Sequence, residues 1–333
     1  MRACVAILLA AAFLGATAGL PARGAGEAPI AAVFYYPWYG TPARGGEWQH
    51  WQQNGGAPPR RIGSDFFPVR GPYASDDPQV LAAQMAEIAR VGIAQVIVSW
   101  WGRDSLEDTR LPAVAAAARA RGLGVAVHIE PYAGRTAASV GSDITYLRRL
   151  GVGDFYVYAS PSVPDADWAA LNAGLRGVRL FANTTLAGKA AAGGFAGLYT
   201  YDVLIYSGAS FPRICRQAAR LGLLCAPSVG PGYSARRATG DTRVRSRASG
   251  AVYDFMWSQA LRAAAPVVTI TSYNEWHEGT QIEPARARAG YESYDGAWGL
   301  RGARAESAYL DRTAYWTARL SRAPSPALGG TSR

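Results

Sequence analysis

The stretch PVVTITSYNEWHEGTQIEP, residues 266–284, decides how this chain is read. It begins as an apolar, β-branched run of the kind that fills a strand covered on both faces. The composition then inverts, and Asn274, Glu275, Trp276, His277 and Glu278 follow in succession. Two carboxyls three positions apart oppose each other's ionisation, so a fold keeps such a pair where something is gained from it. A solvated turn is the structural alternative. Placement at the end of a buried strand, between an amide, an indole and an imidazole, argues instead for proton transfer.

The same pattern, an apolar run with a polar or aromatic end, recurs along the chain. Eight strands are predicted, over residues 30–36, 94–101, 123–130, 154–159, 178–183, 197–201, 223–229 and 266–273. Helical patterns separate them. Asp76-Asp77-Pro78 opens a helix over 78–90 that Gly92 stops, and Ser105 precedes an alanine-rich helix ending at Gly122. Asp165 opens a further helix, and another over 213–221 stops at Gly222. The fifth unit is the weakest, because 185–194 is thin for a helix. Eight strand–helix alternations predict an α/β fold, a single (β/α)8 TIM barrel with parallel strands and right-handed crossovers. No linker, repeat or shift of composition divides the chain. The expected organisation is a signal peptide over 1–25, a catalytic barrel over 26–323 and a short tail over 324–333.

With 333 residues, 49% hydrophobic and 17% charged, the composition is that of a globular protein. The formal charge is +10, yet Lys189 is the only lysine among 34 basic side chains. The arginines are scattered apart from a modest cluster at Arg236, Arg237, Arg243, Arg245 and Arg247. No basic run is interleaved with aromatics, so nucleic acid is not an expected partner. At the N-terminus, Arg2, an apolar stretch over 3–14 and the small residues Ala16-Thr17-Ala18 form a secretory signal. Elsewhere no apolar run reaches the length of a membrane span. The expected location is therefore outside the cytoplasm, periplasmic or extracellular, with no membrane partner. Cleavage removes Cys4 and leaves Cys215 and Cys225. These are either one disulfide of an oxidising compartment or two buried small hydrophobes, and the sequence does not separate the two.

In a TIM barrel the functional side chains gather at the C-terminal ends of the strands. Here those ends read Tyr36-Pro37-Trp38-Tyr39, Trp100-Trp101, His128-Ile129-Glu130, Tyr156 with Tyr158, Tyr199 with Tyr201, Ser228 through Tyr233, and Asn274 through Glu278. Rings cover the apolar faces of sugars, while carboxylates and imidazoles bind hydroxyls, so the pattern describes a carbohydrate cleft. Residues three apart in a helical turn have Cβ atoms about 5–6 Å apart. Retaining glycosidases hold their carboxyls about 5–5.5 Å apart and inverting ones about 6.5–9.5 Å, so the spacing of Glu275 and Glu278 favours retention. A close pair also splits its pKa values, leaving one carboxyl as acid and the other as base. His277-Glu278 begins like a zinc-protease motif, but Gln281 stands where the second histidine would be. With only His50, His128 and His277 in the chain, no metal site is predicted. The glycine-rich run at 228–233 lacks the residues of a phosphate loop, and no G-x-S-x-G elbow occurs.

The motifs FYYPWYG (34–40), IGSDFFP (62–68), YASDDP (73–78), VSWW (98–101), HIEPYAGR (128–135), GLYTY (197–201), PSVGPGY (227–233) and TSYNEWHEGTQIE (271–283) together resemble glycoside hydrolase family 99, the endo-α-1,2-mannosidases and endo-α-1,2-mannanases. The likeness spans nearly all of the mature chain, and its last motif is long and specific. The resemblance implies an endo-acting, retaining hydrolase of α-mannosidic bonds adjacent to α-1,2 linkages, with no cofactor and an oligosaccharide or polysaccharide as its partner. By motif position Glu275 would act as base on the sugar's own 2-hydroxyl, giving a 1,2-anhydro sugar. Glu278 would be the general acid and then the base for water. Tyr36, His128, Glu130 and Tyr201 match substrate contacts. Trp101 matches a position lining the next subsite, where tryptophan points to mannose rather than glucose. Tyr233, Asn274 and His277 complete the expected substrate-binding set, in a chain expected to be a monomer. Departures from the pattern are a short loop between Tyr39 and Ile62 that retains only His50-Trp51, a condensed region at 134–162, and Pro37 in place of the more usual serine. Two other readings remain: a related barrel glycosidase for a non-mannose bacterial polysaccharide, and a carbohydrate-binding protein without turnover. Retention of both glutamates opposes the second.

Overall fold

The computed structural model describes residues 28–323. The signal peptide at 1–25 and the tail at 324–333 lie outside the described residues. Each predicted strand is present: β1 (Ile30–Tyr35), β2 (Gln95–Trp100), β3 (Gly124–Ile129), β4 (Asp154–Val157), β5 (Arg179–Asn183), β6 (Gly197–Tyr199), the pair β7 (Leu224–Ala226) and β8 (Ser228–Val229), and, after a hairpin of β9 (Tyr233–Ser234) and β10 (Val244–Arg245), the last strand β11 (Val267–Ile270). Within the large sheet every pairing is parallel, in the order β7-β6-β5-β4-β3-β2-β1-β11-β8.

The single predicted seventh strand is thus two, and the reason is Pro227. Proline has no N–H to give to a ladder. Before it, Leu224–Ala226 pairs with β6; after it, Ser228–Val229 pairs with β11. The proline carbonyl still accepts from the Thr269 N–H at 3.0 Å. One chain segment therefore joins the two edges, and the sheet closes into the expected barrel.

Alternation along β1 sorts side chains into two layers. Ala31, Val33 and Tyr35 face outward into the core shared with the helices, while Ala32, Phe34 and Tyr36 point into the barrel. There they meet Ile97, Ala126, Tyr156, Phe181, Tyr199 and Tyr201. Tyr156 stacks on Phe181 with centroids 4.7 Å apart, and Phe34 lies 4.7 Å from the His128 ring. The interior is filled with aromatic rings, which form the floor beneath the strand ends.

The helix Pro78–Arg90 has its predicted bounds, with the Asp77 side chain accepting from Gln79 N and Leu81, Met85 and Ile88 turned inward. Ser105 likewise caps the helix Leu106–Arg119. The thin fifth unit holds only the short helix Ala187–Ala192. Two helices that carry no sequence signal singled out above, Ala251–Arg262 and Ala308–Leu320, complete the wall. Cys215 and Cys225 form a disulfide that ties the helix Phe211–Arg220 to β7, which settles the alternative left open by the sequence.

Candidate active site

Past β11 the chain does not enter a free loop. Ser272 N donates to Thr280 O at 2.9 Å, and Ile282 N returns to Ser272 O at 2.9 Å. The Ser272 hydroxyl accepts from Glu275 N at 2.7 Å and contacts the Thr280 hydroxyl at 2.9 Å. These bonds close residues 272–282 into a compact loop in which Glu278 alone is not fully buried. At Gly279 the backbone takes φ +61°, and a Cβ there would sit 2.7 Å from Ser234 O, so only glycine fits.

Asn274 is completely buried, and its amide is spent on the backbone. Oδ1 accepts from Tyr36 N at 2.8 Å, and Nδ2 donates to Tyr36 O at 3.0 Å and to the Tyr73 hydroxyl at 3.3 Å. The Tyr39 hydroxyl donates to Asn274 O and accepts from Trp276 N. Among the sequence-derived candidates, Asn274 therefore has its amide turned to the backbone, fastening the end of β1 to the 272–282 loop. Glu283, the third carboxylate of the motif, is also fully buried. It accepts from Gln84 Nε2 (2.8 Å), Tyr73 OH (2.8 Å), Trp276 Nε1 (2.8 Å) and Arg70 (3.2 Å).

Glu275 and Glu278 have no such company. Glu275 is 2% exposed, and its Oε1 has no hydrogen-bond partner. Burial, then Glu278, then Glu130 drive its pKa well above the ordinary carboxyl value, opposed by the backbone N–H groups of His277 and Glu278. Glu278 is pushed up to about 7, first by removal from water and then by Asp202, Glu130 and Asp241. Every one of those influences favours its protonated form.

Around the pair the structure brings Tyr36, His128, Glu130 and Tyr201 together. The Tyr36 and Tyr201 hydroxyls touch each other, and burial keeps both phenols protonated far above their usual range. His128 Nε2 meets the Tyr199 hydroxyl at 2.8 Å, and its Nδ1 lies 2.9 Å from Glu130 Oε1. That oxygen also accepts from Ser99 Oγ at 2.8 Å. Tyr201 stacks on His128 and has φ +50°, with its N–H held by Ser228 Oγ at 2.8 Å.

His277 Nε2 donates to the His50 carbonyl at 2.8 Å, which leaves its Nδ1 as an acceptor 3.9 Å from Glu275 Oε1. Burial lowers its pKa to about 3, so the ring is neutral. Trp38 stacks on His50 (4.6 Å) and on His277 (5.5 Å), extending an aromatic wall from the cleft. Tyr233 donates to Asp241 at 3.0 Å and faces Glu278. Trp101, at the end of β2, leaves 38% of its surface open.

Sequence reasoning counted Trp38 only among the aromatic strand ends and did not place His50, Asp202 or Asp241 in the site. Trp38 and His50 sit in motifs that were visible, FYYPWYG and the shortened HW element. Asp202 directly follows GLYTY, whereas Asp241 is in a hairpin with no signal of its own. Among the described residues no group of His, Cys, Asp or Glu is arranged to hold a metal ion, and no helix is long and apolar enough to cross a membrane.

Comparison with known proteins bears on the family and the barrel. The family described as "Glycosyl hydrolase family 99" matches residues 28–322. A "Glycoprotein endo-alpha-1,2-mannosidase-like protein" of Danio rerio is 33% identical over 314 residues, covering 76% of this chain and 70% of that protein. The "Glycoprotein endo-alpha-1,2-mannosidase" of Xenopus laevis is 31% identical over 330 residues, covering 79% and 72%. The solved "GH99 endo-alpha-mannosidase from Bacteroides thetaiotaomicron" superposes with a TM-score of 0.80 at 28% identity, over 89% of this chain and 98% of that one. With a closed parallel barrel and a buried carboxyl pair at the mouth, the chain belongs to glycosyl hydrolase family 99 and is a glycoside hydrolase of the endo-α-mannosidase type.

Proposed function

We propose that this enzyme is an exported, single-domain, retaining endo-α-mannosidase that cuts α-mannosidic bonds next to α-1,2 linkages, through a 1,2-anhydro sugar. The observation that carries the reading is the unequal pair Glu275 and Glu278. Burial raises both carboxyls, and of the two only Glu275 has backbone N–H groups, those of His277 and Glu278, to support a negative charge, so we assign Glu275 as the base and Glu278 as the acid. In the first step Glu275 takes the proton of the 2-hydroxyl as that oxygen bonds to the anomeric carbon. The glycosidic C–O bond breaks, and its oxygen takes the proton of Glu278. In the second step Glu278, now ionised, takes a proton from water, whose oxygen attacks the anomeric carbon. The 2-oxygen of the anhydro sugar leaves that carbon and regains its proton from Glu275. Two inversions give net retention, with one water added.

Tyr36, His128, Glu130 and Tyr201 supply hydroxyl contacts on this reading, and Tyr233 and His277 flank the two carboxyls. The exposed Trp101 ring offers a flat platform for the next sugar, favouring mannan over glucosylated high-mannose glycans. Export is supported by the apolar N-terminal sequence and by the Cys215–Cys225 disulfide, a bond that persists in oxidising compartments. A test compares product release from an α-1,2-branched α-1,6-mannan and from a glucosylated high-mannose glycan, for wild type and Glu278→Gln. Release from the mannan that the variant loses supports the reading. A folded wild-type protein that releases nothing from either glycan overturns it.

A further inference from the structure

The arginine cluster noted in the sequence includes one side chain that reaches the catalytic loop. Arg247 follows β10, and its Nη2 donates to Gly279 O at 2.9 Å and to Gln281 O at 2.8 Å. Its guanidinium lies 4.6 Å from the Phe66 ring, 4.7 Å from Tyr294 and 4.4 Å from Tyr309. Nε and Nη1 are buried without a hydrogen bond, covered by those rings. On the partner strand of the same hairpin, Ser234 N donates to Glu278 O at 2.8 Å, and Ser234 Oγ donates to Asp65 at 2.6 Å. One hairpin thus grips the carbonyls of residues 278, 279 and 281, the chain that leaves the acid. Against this turn lies a cavity of about 310 Å³, lined by Ser234, Arg247, Gly279 and Tyr294 among others. The turn has room to move on that side if the grip is lost.

We propose that Arg247 is a positioning residue for the reaction: it holds the turn that aims the Glu278 carboxyl at the leaving oxygen. The proposal rests on the assignment of Glu278 as the general acid. Lysine cannot replace it, because one ammonium does not reach two carbonyls while lying flat among three rings.

The test uses two substrates of different demand. An α-mannan oligosaccharide needs its leaving oxygen protonated, whereas α-mannobiosyl fluoride expels fluoride with little help from an acid. Arg247→Lys and Arg247→Met, each checked for folding by circular dichroism, are expected to lower kcat on the oligosaccharide by about tenfold or more, the scale on which misplaced groups lose rate. KM should change less than about twofold, and the first-turnover burst of fluoride release less than about threefold, because that step needs neither the acid nor the base for water. Glu278→Gln is measured in parallel. If Glu278→Gln loses the first-turnover burst of fluoride as fully as oligosaccharide cleavage, the acid assignment fails. If it spares that burst while folded Arg247→Lys keeps its rate on the oligosaccharide, the Arg247 proposal is overturned. Loss of the first-turnover fluoride burst in Arg247→Lys also overturns it, since a general structural role predicts that result.

Discussion

Two parts of one loop use the same side chain in opposite ways. At its far end Glu283 is fully buried and accepts from four donors on three separate segments. Five to eight residues earlier, Glu278 and Glu275 are withdrawn from water with carboxylates as their neighbours. A buried carboxylate surrounded by donors ties a fold together, while one surrounded by negative charge holds a proton. Glu283 belongs to the first kind, with Arg70 and its other donors opposing the upward push of burial, and the Glu275–Glu278 pair to the second.

The contrast is most exposed to refutation at the pair itself. Glu275→Gln and Glu278→Gln should each cost roughly 10²–10⁴ in kcat on an oligosaccharide with an oxygen leaving group. Their thermal midpoints should equal or exceed that of wild type, since each change removes a charge that the fold disfavours. A marked fall in midpoint would mean these carboxylates are structural after all. Glu283→Ala should do the reverse, lowering stability by about 3–5 kcal/mol in urea unfolding, because it strands Arg70 and three other donors. An unchanged midpoint there would erase the distinction.

A smaller effect is expected from pH. With Glu278 near 7, kcat/KM on the oligosaccharide should fall above about pH 7 as the acid loses its proton. The same group links stability to pH. Its folded pKa is raised from 4.5, so its contribution is fully present below 4.5 and is lost as pH rises through about 7. Glu278→Gln should therefore flatten the decline of the melting temperature across that window. An identical profile in the variant would assign the decline to other groups. The smallest effect belongs to Trp101→Ala, which should raise KM by roughly two- to tenfold, the worth of one stacked ring, and leave kcat in place.

Much of this was legible in the chain. Each apolar run became a strand because a barrel buries its strands on both faces, and that leaves a mark in composition. Glu275 and Glu278 could be picked out because they break the apolar run at a strand end. Asn274 looked equally functional in the motif, yet its amide closes on the backbone of Tyr36, 238 positions away. Residue type and position alone do not show which way an amide is turned. The division of the seventh strand had a visible cause in Pro227, but whether its halves would share one neighbour or bridge two depended on where β6 and β11 stand.

The sequence by itself determined the period of the fold, the ends at which chemistry collects and the identity of the paired carboxyls, since each follows from local pattern and covalent order. Only the tertiary structure decided which glutamate is satisfied and which is left holding a proton. It also decided that Cys215 meets Cys225, that Trp38 stacks on His50 and His277, and that Arg247 grips the turn after Glu278. Burial, hydrogen bonding and electrostatic neighbourhood arise between segments far apart in the chain, and they exist only once the barrel has brought those segments together.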